Sequence, residues 1–169
     1  ERLLASPHYG ERMAVPWLDV VRFADTVGYH GDQNQNVFPY RDYVINAFNA
    51  DKPFNQFAAE QVAGDLIPAD SPERQREQLI ATGFLAIGPK NLDAQDKDLL
   101  RMDVVDEQLD TLGRAFLGLS IGCARCHDHK FDPISHKEYF SFYAYFNQSE
   151  ETGEQRYING GNVAPVMSV

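Results

Sequence analysis

The sequence is poor in cysteine, in long apolar runs and in positive charge. Its 169 residues include only two cysteines, and both lie in one five-residue motif, which leaves none for structural disulfides. No stretch approaches the ~20 apolar residues that a membrane-spanning helix needs. The 15 Lys and Arg are outnumbered by 25 Asp and Glu, giving a net charge of −10. Lys and Arg supply the affinity for phosphate backbones, so we do not expect a nucleic-acid partner. Because long apolar runs are lacking, we do not expect a membrane span either.

The residues that are present indicate a folded helical domain. A hydrophobic content of 43% with 12% aromatics argues against disorder. Apolar residues recur at helical spacing along the chain, so we predict an all-α, irregular multi-helix fold. The first helix is expected from Met13 to about Gly28, with Pro16 at its start or at a bend. The chain opens at Glu1, without an initiator Met or an apolar leader, and we expect it to be a piece of a longer polypeptide.

The two cysteines form the motif Cys123-Ala124-Arg125-Cys126-His127. A Cys-x-x-Cys-His run is typical of covalent haem attachment. Two intervening residues let one backbone turn reach both vinyl groups of the porphyrin, and the adjacent imidazole then lies beneath the iron. The motif predicts that Cys123 and Cys126 are thioether anchors for one haem c and that His127 is the proximal ligand.

Three other interpretations of the motif remain open. Cys123 and Cys126 could bind zinc together with one or two of His127, His129 and His136, since thiolate and imidazole are the usual zinc ligands. A thioredoxin-like redox pair normally opens a helix in a βαβ setting, which does not surround this motif. The cysteines could also be two unreactive thiols.

The segments on either side of the motif predict the walls of a haem site. A long helix carrying the apolar stripe Val105, Leu109, Leu112, Phe116 and Leu119 leads into it. Ser135 and Glu138 form a capping box that begins an aromatic-rich helix. The fold is therefore expected to hold a haem-binding loop between a long helix and an aromatic-rich helix. The aromatic side chains expected to contact the haem are Phe131, Tyr139, Phe142 and Tyr143, because aromatic rings bring large apolar area to a macrocycle. Arg125, next to the anchor, is expected to contact a haem propionate.

The sixth iron ligand and a second cation are separate questions. Met102, before the long helix, is a candidate distal ligand, with His8 and His30 as further candidates; axial identity sets the potential. Asp128 and Asp132 could hold calcium, which prefers oxygen donors. The competing interpretation is a salt-bridged turn, favoured by the position of Asp132 before Pro133.

Longer blocks of sequence carry a resemblance to a known family. They are Ser6–Arg12, Trp17–Asp19, Tyr40–Ile45, Phe48-Asn49, Glu60-Gln61, Ala63–Asp65, Ala81–Phe84 and Gly122–Ile134. In this order they resemble the planctomycete-type cytochrome c domain, catalogued as a domain of unknown function and found in large exported multidomain proteins. The resemblance covers residues 1–148, and residues 149–169 are expected to be a tail or edge segment, without a pairing partner, that leads to a neighbouring domain.

The resemblance implies a helical domain with a c-type haem at Cys123, Cys126 and His127. Since covalent haem attachment occurs outside the bacterial cytoplasmic membrane, we expect an exported, periplasmic or cell-envelope location. The leading function is electron transfer, with a redox protein or neighbouring domains of the same chain as partner. The alternatives are a haem enzyme of the peroxidase or oxidoreductase type with an open sixth position, and a zinc-stapled interaction module.

Overall fold

The computed structural model describes residues 1–28, 32–91 and 93–148, together with the backbone of 157–158 and 162–163. Within these residues the chain forms the helices α1 (Tyr9–Val20), α2 (Phe38–Asn49), α3 (Phe54–Ala63), α4 (Pro72–Ala81), α5 (Lys97–Leu112) and α6 (His136–Phe146). Two antiparallel pairs of short strands accompany them: β1 (Thr26–Val27) with β2 (Gln33–Asn34), and β3 (Tyr157–Ile158) with β4 (Asn162–Val163). The predicted all-α class is confirmed.

Contacts divide the described chain into two compact units. The first contains α1 to α4, with α1 packed along α2. Its interior includes Tyr40, Val44 and Phe84, each 1% exposed or less. The indole N–H of Trp17 donates to the hydroxyl of Tyr40 at 2.9 Å, so the only tryptophan of the chain is tied to this core.

The second unit contains α5, α6 and the chain between them. Val105 and Leu109 on α5 pack with Tyr139 and Tyr143 on α6 in one buried cluster. A π-helical turn, Gly113–Leu117, extends α5 and ends at Gly118, whose φ of 66° is the left-handed conformation that glycine adopts without strain. The chain then enters a 3₁₀ turn, Ile121–Arg125, which contains the first three residues of the motif and is capped by Cys126. The predicted placement of the motif between a long helix and an aromatic-rich helix is confirmed.

Two expectations were wrong, one about the bounds of the first helix and one about strand pairing in the tail. The first helix was expected from Met13 to about Gly28, but α1 begins at Tyr9 and ends at Val20, with Pro16 inside it. It ends there because Arg22 takes a left-handed φ of 55°, while the N–H of Phe23 bonds the carbonyl of Leu18 and the N–H of Arg22 bonds that of Asp19. The tail was expected to lack a pairing partner, but β3 and β4 pair with each other.

None of the helices in the described ranges has the length and apolar character required to cross a membrane.

Candidate functional site

The motif forms a 3₁₀ turn whose geometry separates its side chains onto different faces. Residues three apart lie above one another in a 3₁₀ helix. Ile121 and Ala124 therefore share the inward face, where they are 3% and 0% exposed and join the buried cluster of the second unit. Cys126 caps the turn, with its backbone N–H bonded to the carbonyl of Cys123, and the thiols of Cys123 and Cys126 are both free and exposed. One short turn and its cap thus expose two thiols that lie three residues apart.

Acidic side chains of α5 fix this turn in place. The backbone N–H of Gly122 donates to Asp110 Oδ1 at 3.4 Å, and Asp110 also pairs with Arg114 at 2.7 Å. Arg125, between the two cysteines, forms ion pairs with Asp103 at 3.4 Å and with Asp106. The sequence therefore anchors the turn to α5 on both sides of Cys123.

Asp106 connects the motif to α6 as well. Its carboxylate accepts a hydrogen bond from the hydroxyl of Tyr139, which is 1% exposed. Burial raises the pKa of Asp106, although the Tyr139 hydroxyl and the charge of Arg125 oppose that rise. Burial, reinforced by the Asp106 carboxylate, likewise raises the pKa of Tyr139 far above its usual value. One carboxylate on α5 thus holds the turn and the aromatic helix together.

His127 lies exposed beside the thiols, and its tautomer follows from one hydrogen bond. Its Nδ1 is 2.7 Å from the backbone carbonyl oxygen of Asp128. Since a carbonyl only accepts, Nδ1 carries the proton, and in the neutral ring Nε2 keeps its lone pair. Nε2 is therefore the nitrogen available to bind a metal.

His129 has the opposite arrangement. Its Nδ1 accepts the backbone N–H groups of Phe131, at 3.2 Å, and Asp132, at 2.7 Å. The side chain is 6% exposed, and the backbone N–H of His129 donates to the backbone carbonyl of Ile134. His129 therefore organises the loop that follows the motif.

The Asp and His residues considered as zinc or calcium ligands contact one another and the backbone of the same loop. Asp128 Oδ1 accepts the N–H of His136 at 2.7 Å, and Asp132 Oδ2 is 3.5 Å from Nδ1 of His129. Within the described ranges, no three His, Cys, Asp or Glu side chains come together in a group that could hold a metal ion. This arrangement does not form the zinc ligand set of the alternative interpretation.

An apolar groove of ≈ 260 Å³ opens beside the turn. Its walls come from the end of the π turn, the inward face of the motif, the following loop and α6, and include Leu117, Ile121, Ile134, Tyr139 and Phe142. Leu117 is 58% exposed at its edge. The groove is slightly smaller than the roughly 300–1,000 Å³ of ordinary ligand pockets.

The structure brings only some of the other predicted contacts to this groove. Tyr139 and Phe142 line it, whereas Tyr143 lies in the buried cluster, 8% exposed. Phe131 is 84% exposed in the loop, and the guanidinium of Arg125 is engaged by α5. Met102 lies on α5, 42% exposed.

The two further candidates for the sixth ligand have different outcomes. His8 lies in the first unit, where its Nδ1 is 3.0 Å from Glu11. His30 lies outside the described residues.

Comparison with protein families gives one match over this part of the chain. The PSCyt2 model, described as a protein of unknown function (DUF1549), matches residues 1–151, which include all six helices and the whole motif. The chain belongs to the PSCyt2 family. The match includes the 1–148 range on which the planctomycete-type cytochrome c resemblance rests, and the family name is consistent with that resemblance. No curated protein and no solved structure matches the chain.

The sequence analysis missed the anchoring roles of Asp106 and Asp110. Both belong to an acidic stripe on α5 with Asp103, at spacings of three and four residues. Such a stripe is usually a solvated face. Here it faces Arg125 and Gly122, and this depends on how the chain returns after Gly118, which helical spacing does not predict.

Proposed function

We propose that this chain is a c-type cytochrome domain of the PSCyt2 family that carries one covalent haem and transfers electrons. The observation that carries the proposal is the 3₁₀ turn with its cap, which leaves the thiols of Cys123 and Cys126 free and exposed, three residues apart and next to His127 in the chain. A bound haem supplies one-electron oxidation and reduction at its iron.

The residues present fit this group by the chemistry of their donors. Both thiols are free and exposed, as thioether formation requires. The Asp128 carbonyl holds the His127 ring through Nδ1–H, which fixes the orientation of the ring. Nε2 keeps its lone pair and is the nitrogen that can bind the iron. Ile121 and Ala124 anchor the turn from inside, so the thiols keep their outward direction.

The groove beside the turn supplies apolar contact. Tyr139 and Phe142 line it, and the ion pairs of Arg125 with α5 hold the turn against the same helix. Because the groove is small and open, it would hold only part of a haem attached at the neighbouring thiols, and the rest would contact solvent or a neighbouring domain. Partial exposure of that kind suits a module that passes electrons to another protein.

The proposal is tested by producing the chain in an exporting host that contains haem-maturation machinery. We expect a pyridine haemochrome spectrum that stays with the polypeptide after denaturation. The Cys123→Ser/Cys126→Ser double variant should lose the covalent chromophore. His8→Gln is the control for covalent attachment, because the His8 ring lies in the first unit and its hydrogen-bond partner is Glu11. A colourless exported protein would contradict the proposal.

The same sample tests the sixth position. A low-spin six-coordinate spectrum with reversible one-electron chemistry supports electron transfer, whereas a high-spin iron that binds small ligands indicates a haem enzyme instead. Met102→Ala changes the axial-ligand spectrum if Met102 is the distal ligand. An unchanged spectrum excludes that side chain.

A further inference from the structure

The first unit contains a second cleft that the proposed electron transfer does not use. Its volume is ≈ 290 Å³, and its walls are five aromatic side chains, Tyr9, Trp17, Phe48, Phe54 and Phe57, with Asp51 at the turn between α2 and α3. We propose that this cleft binds a small organic ammonium ion of the alkylammonium class.

The aromatic side chains that line the cleft pack against one another around Phe57. The rings of Trp17 and Phe57 pack edge to face with centroids 4.9 Å apart, and Phe48 is tilted by 47° to Phe57 at 6.1 Å. Phe57 is 5% exposed and forms the floor, whereas Phe54 is 64% exposed and forms an open side. Ring faces attract cations within about 6 Å of their centroids, and clusters of such rings are the usual sites for alkylated ammonium groups.

Asp51 supplies the negative charge at a position where the helix dipole disfavours an acidic residue. It follows the last turn of α2, where the dipole favours cations. Its φ of 49° lies in the left-handed region, which Asp tolerates better than most residues. Within the described part of the chain, no ion pair engages its carboxylate. A residue that breaks local preferences without a visible compensating contact marks a candidate functional position.

Lys52 also borders the cleft, but its positive charge is already compensated. Its Nζ lies 2.7 Å from both Glu60 and Glu77, and Arg74 pairs with the same two carboxylates. Two cations and two anions leave this cluster neutral. The open charge at the cleft is therefore that of Asp51, and the net charge of −10 adds a favourable field for a cationic ligand.

The test uses the full chain as purified and two independent readouts. Trp17 is the only tryptophan, so ligand in the cleft changes the fluorescence of one known residue, and calorimetry measures the affinity directly. Choline is the cationic probe. Its neutral carbon isostere, 3,3-dimethylbutan-1-ol, has the same shape without the charge, and benzoate tests whether Lys52 would instead attract an anion.

We expect choline to bind about tenfold or more tightly than the isostere, and benzoate not to bind, because the attraction comes from the positive charge. Equal binding of choline and the isostere, preference for benzoate, or no binding of choline to the folded chain would each overturn the proposal. Haem attachment is measured separately in the second unit, so either proposal can fail without the other.

Two variants assign the effect to residues. Asp51→Asn removes the charge while keeping a residue that tolerates the left-handed conformation, so the fold is retained. It should weaken choline binding by about tenfold and leave isostere binding unchanged. Phe54→Leu keeps an apolar side chain but removes a ring face and should also weaken choline binding. Tyr145→Leu, an exposed aromatic on the second unit, is the control and should have no effect.

Discussion

His127 and His129 lie two residues apart and use the same ring nitrogen in opposite ways. Nδ1 of His127 donates to the carbonyl of Asp128, while Nδ1 of His129 accepts two backbone N–H groups. The first leaves Nε2 free to act as a ligand, and the second places the proton on Nε2. The sequence separates these roles only in part, because both histidines are plausible metal ligands until the hydrogen bonds of the loop are known.

Replacing His129 tests its structural role. His129→Leu leaves the N–H groups of Phe131 and Asp132 without their acceptor, and we expect it to lower the free energy of unfolding by about 1–3 kcal/mol. His129→Asn offers a side-chain oxygen near the position of Nδ1 and should recover much of that loss. Urea unfolding followed by circular dichroism measures both variants.

The comparison of the two His129 variants decides the interpretation. If His129→Leu and His129→Asn lower the free energy of unfolding equally, Nδ1 does not act as a stabilising acceptor and only the volume of the ring matters. Neither variant should prevent haem attachment at Cys123 and Cys126, because His129 lies outside the motif.

At the scale of single elements, the motif turn was predictable in position but not in conformation. The two residues between the thiols predict a single backbone turn. Its 3₁₀ form, with Ile121 and Ala124 inward, depends on packing against Val105 and Leu109. The capping box at Ser135 and Glu138 was predicted from four residues and is present, because both of its hydrogen bonds are local.

The junction of α2, α3 and α4 depends on a buried carboxylate that the sequence analysis did not identify. Glu60 is fully buried and accepts hydrogen bonds from Tyr43, Lys52 and Gln56, and it also pairs with Arg74. Burial raises the pKa of Glu60, but the hydrogen bonds from Lys52, Tyr43 and Gln56 outweigh it and hold the pKa below its usual value. Its partners come from three helices and from the turn between α2 and α3, so helical spacing alone does not bring them together.

This network predicts a pH dependence of stability. Since the pKa of Glu60 is lower in the folded chain than in the unfolded chain, the unfolded chain binds more protons in the acidic range. The stabilisation is therefore present above the unfolded-state pKa of about 4.3 and is lost as the pH falls through the folded-state pKa. Glu60→Gln should lower the free energy of unfolding by about 3 kcal/mol at neutral pH, because Lys52 and Arg74 lose a buried charged partner.

Unfolding of the wild type and Glu60→Gln is measured by urea titration from pH 7 to pH 3. We expect the difference in the free energy of unfolding between the wild type and Glu60→Gln to shrink as the pH falls. Parallel pH profiles would show that Glu60 does not titrate differently in the folded chain. Glu73→Gln, on the first turn of α4 and exposed, is a suitable control.

For the molecule as a whole, composition and periodicity predicted the class but not the grouping of the helices. The all-α fold follows from repeated apolar spacing, and the family assignment extends over residues 1–151. The division of the described helices into two compact units depends on long-range contacts that local patterns do not encode. The aromatic cleft was missed for the same reason, since its rings come from α1, α2 and α3.

The motif leads to one central claim, the proposal that this chain bonds a haem through two thioethers. The intact mass of the exported, denatured chain tests that claim most directly. The account predicts a single species heavier by one haem, and the Cys123→Ser/Cys126→Ser variant at its unmodified mass. An exported wild-type chain at the mass of its amino acids alone, from a host that matures other c-type cytochromes, would contradict it.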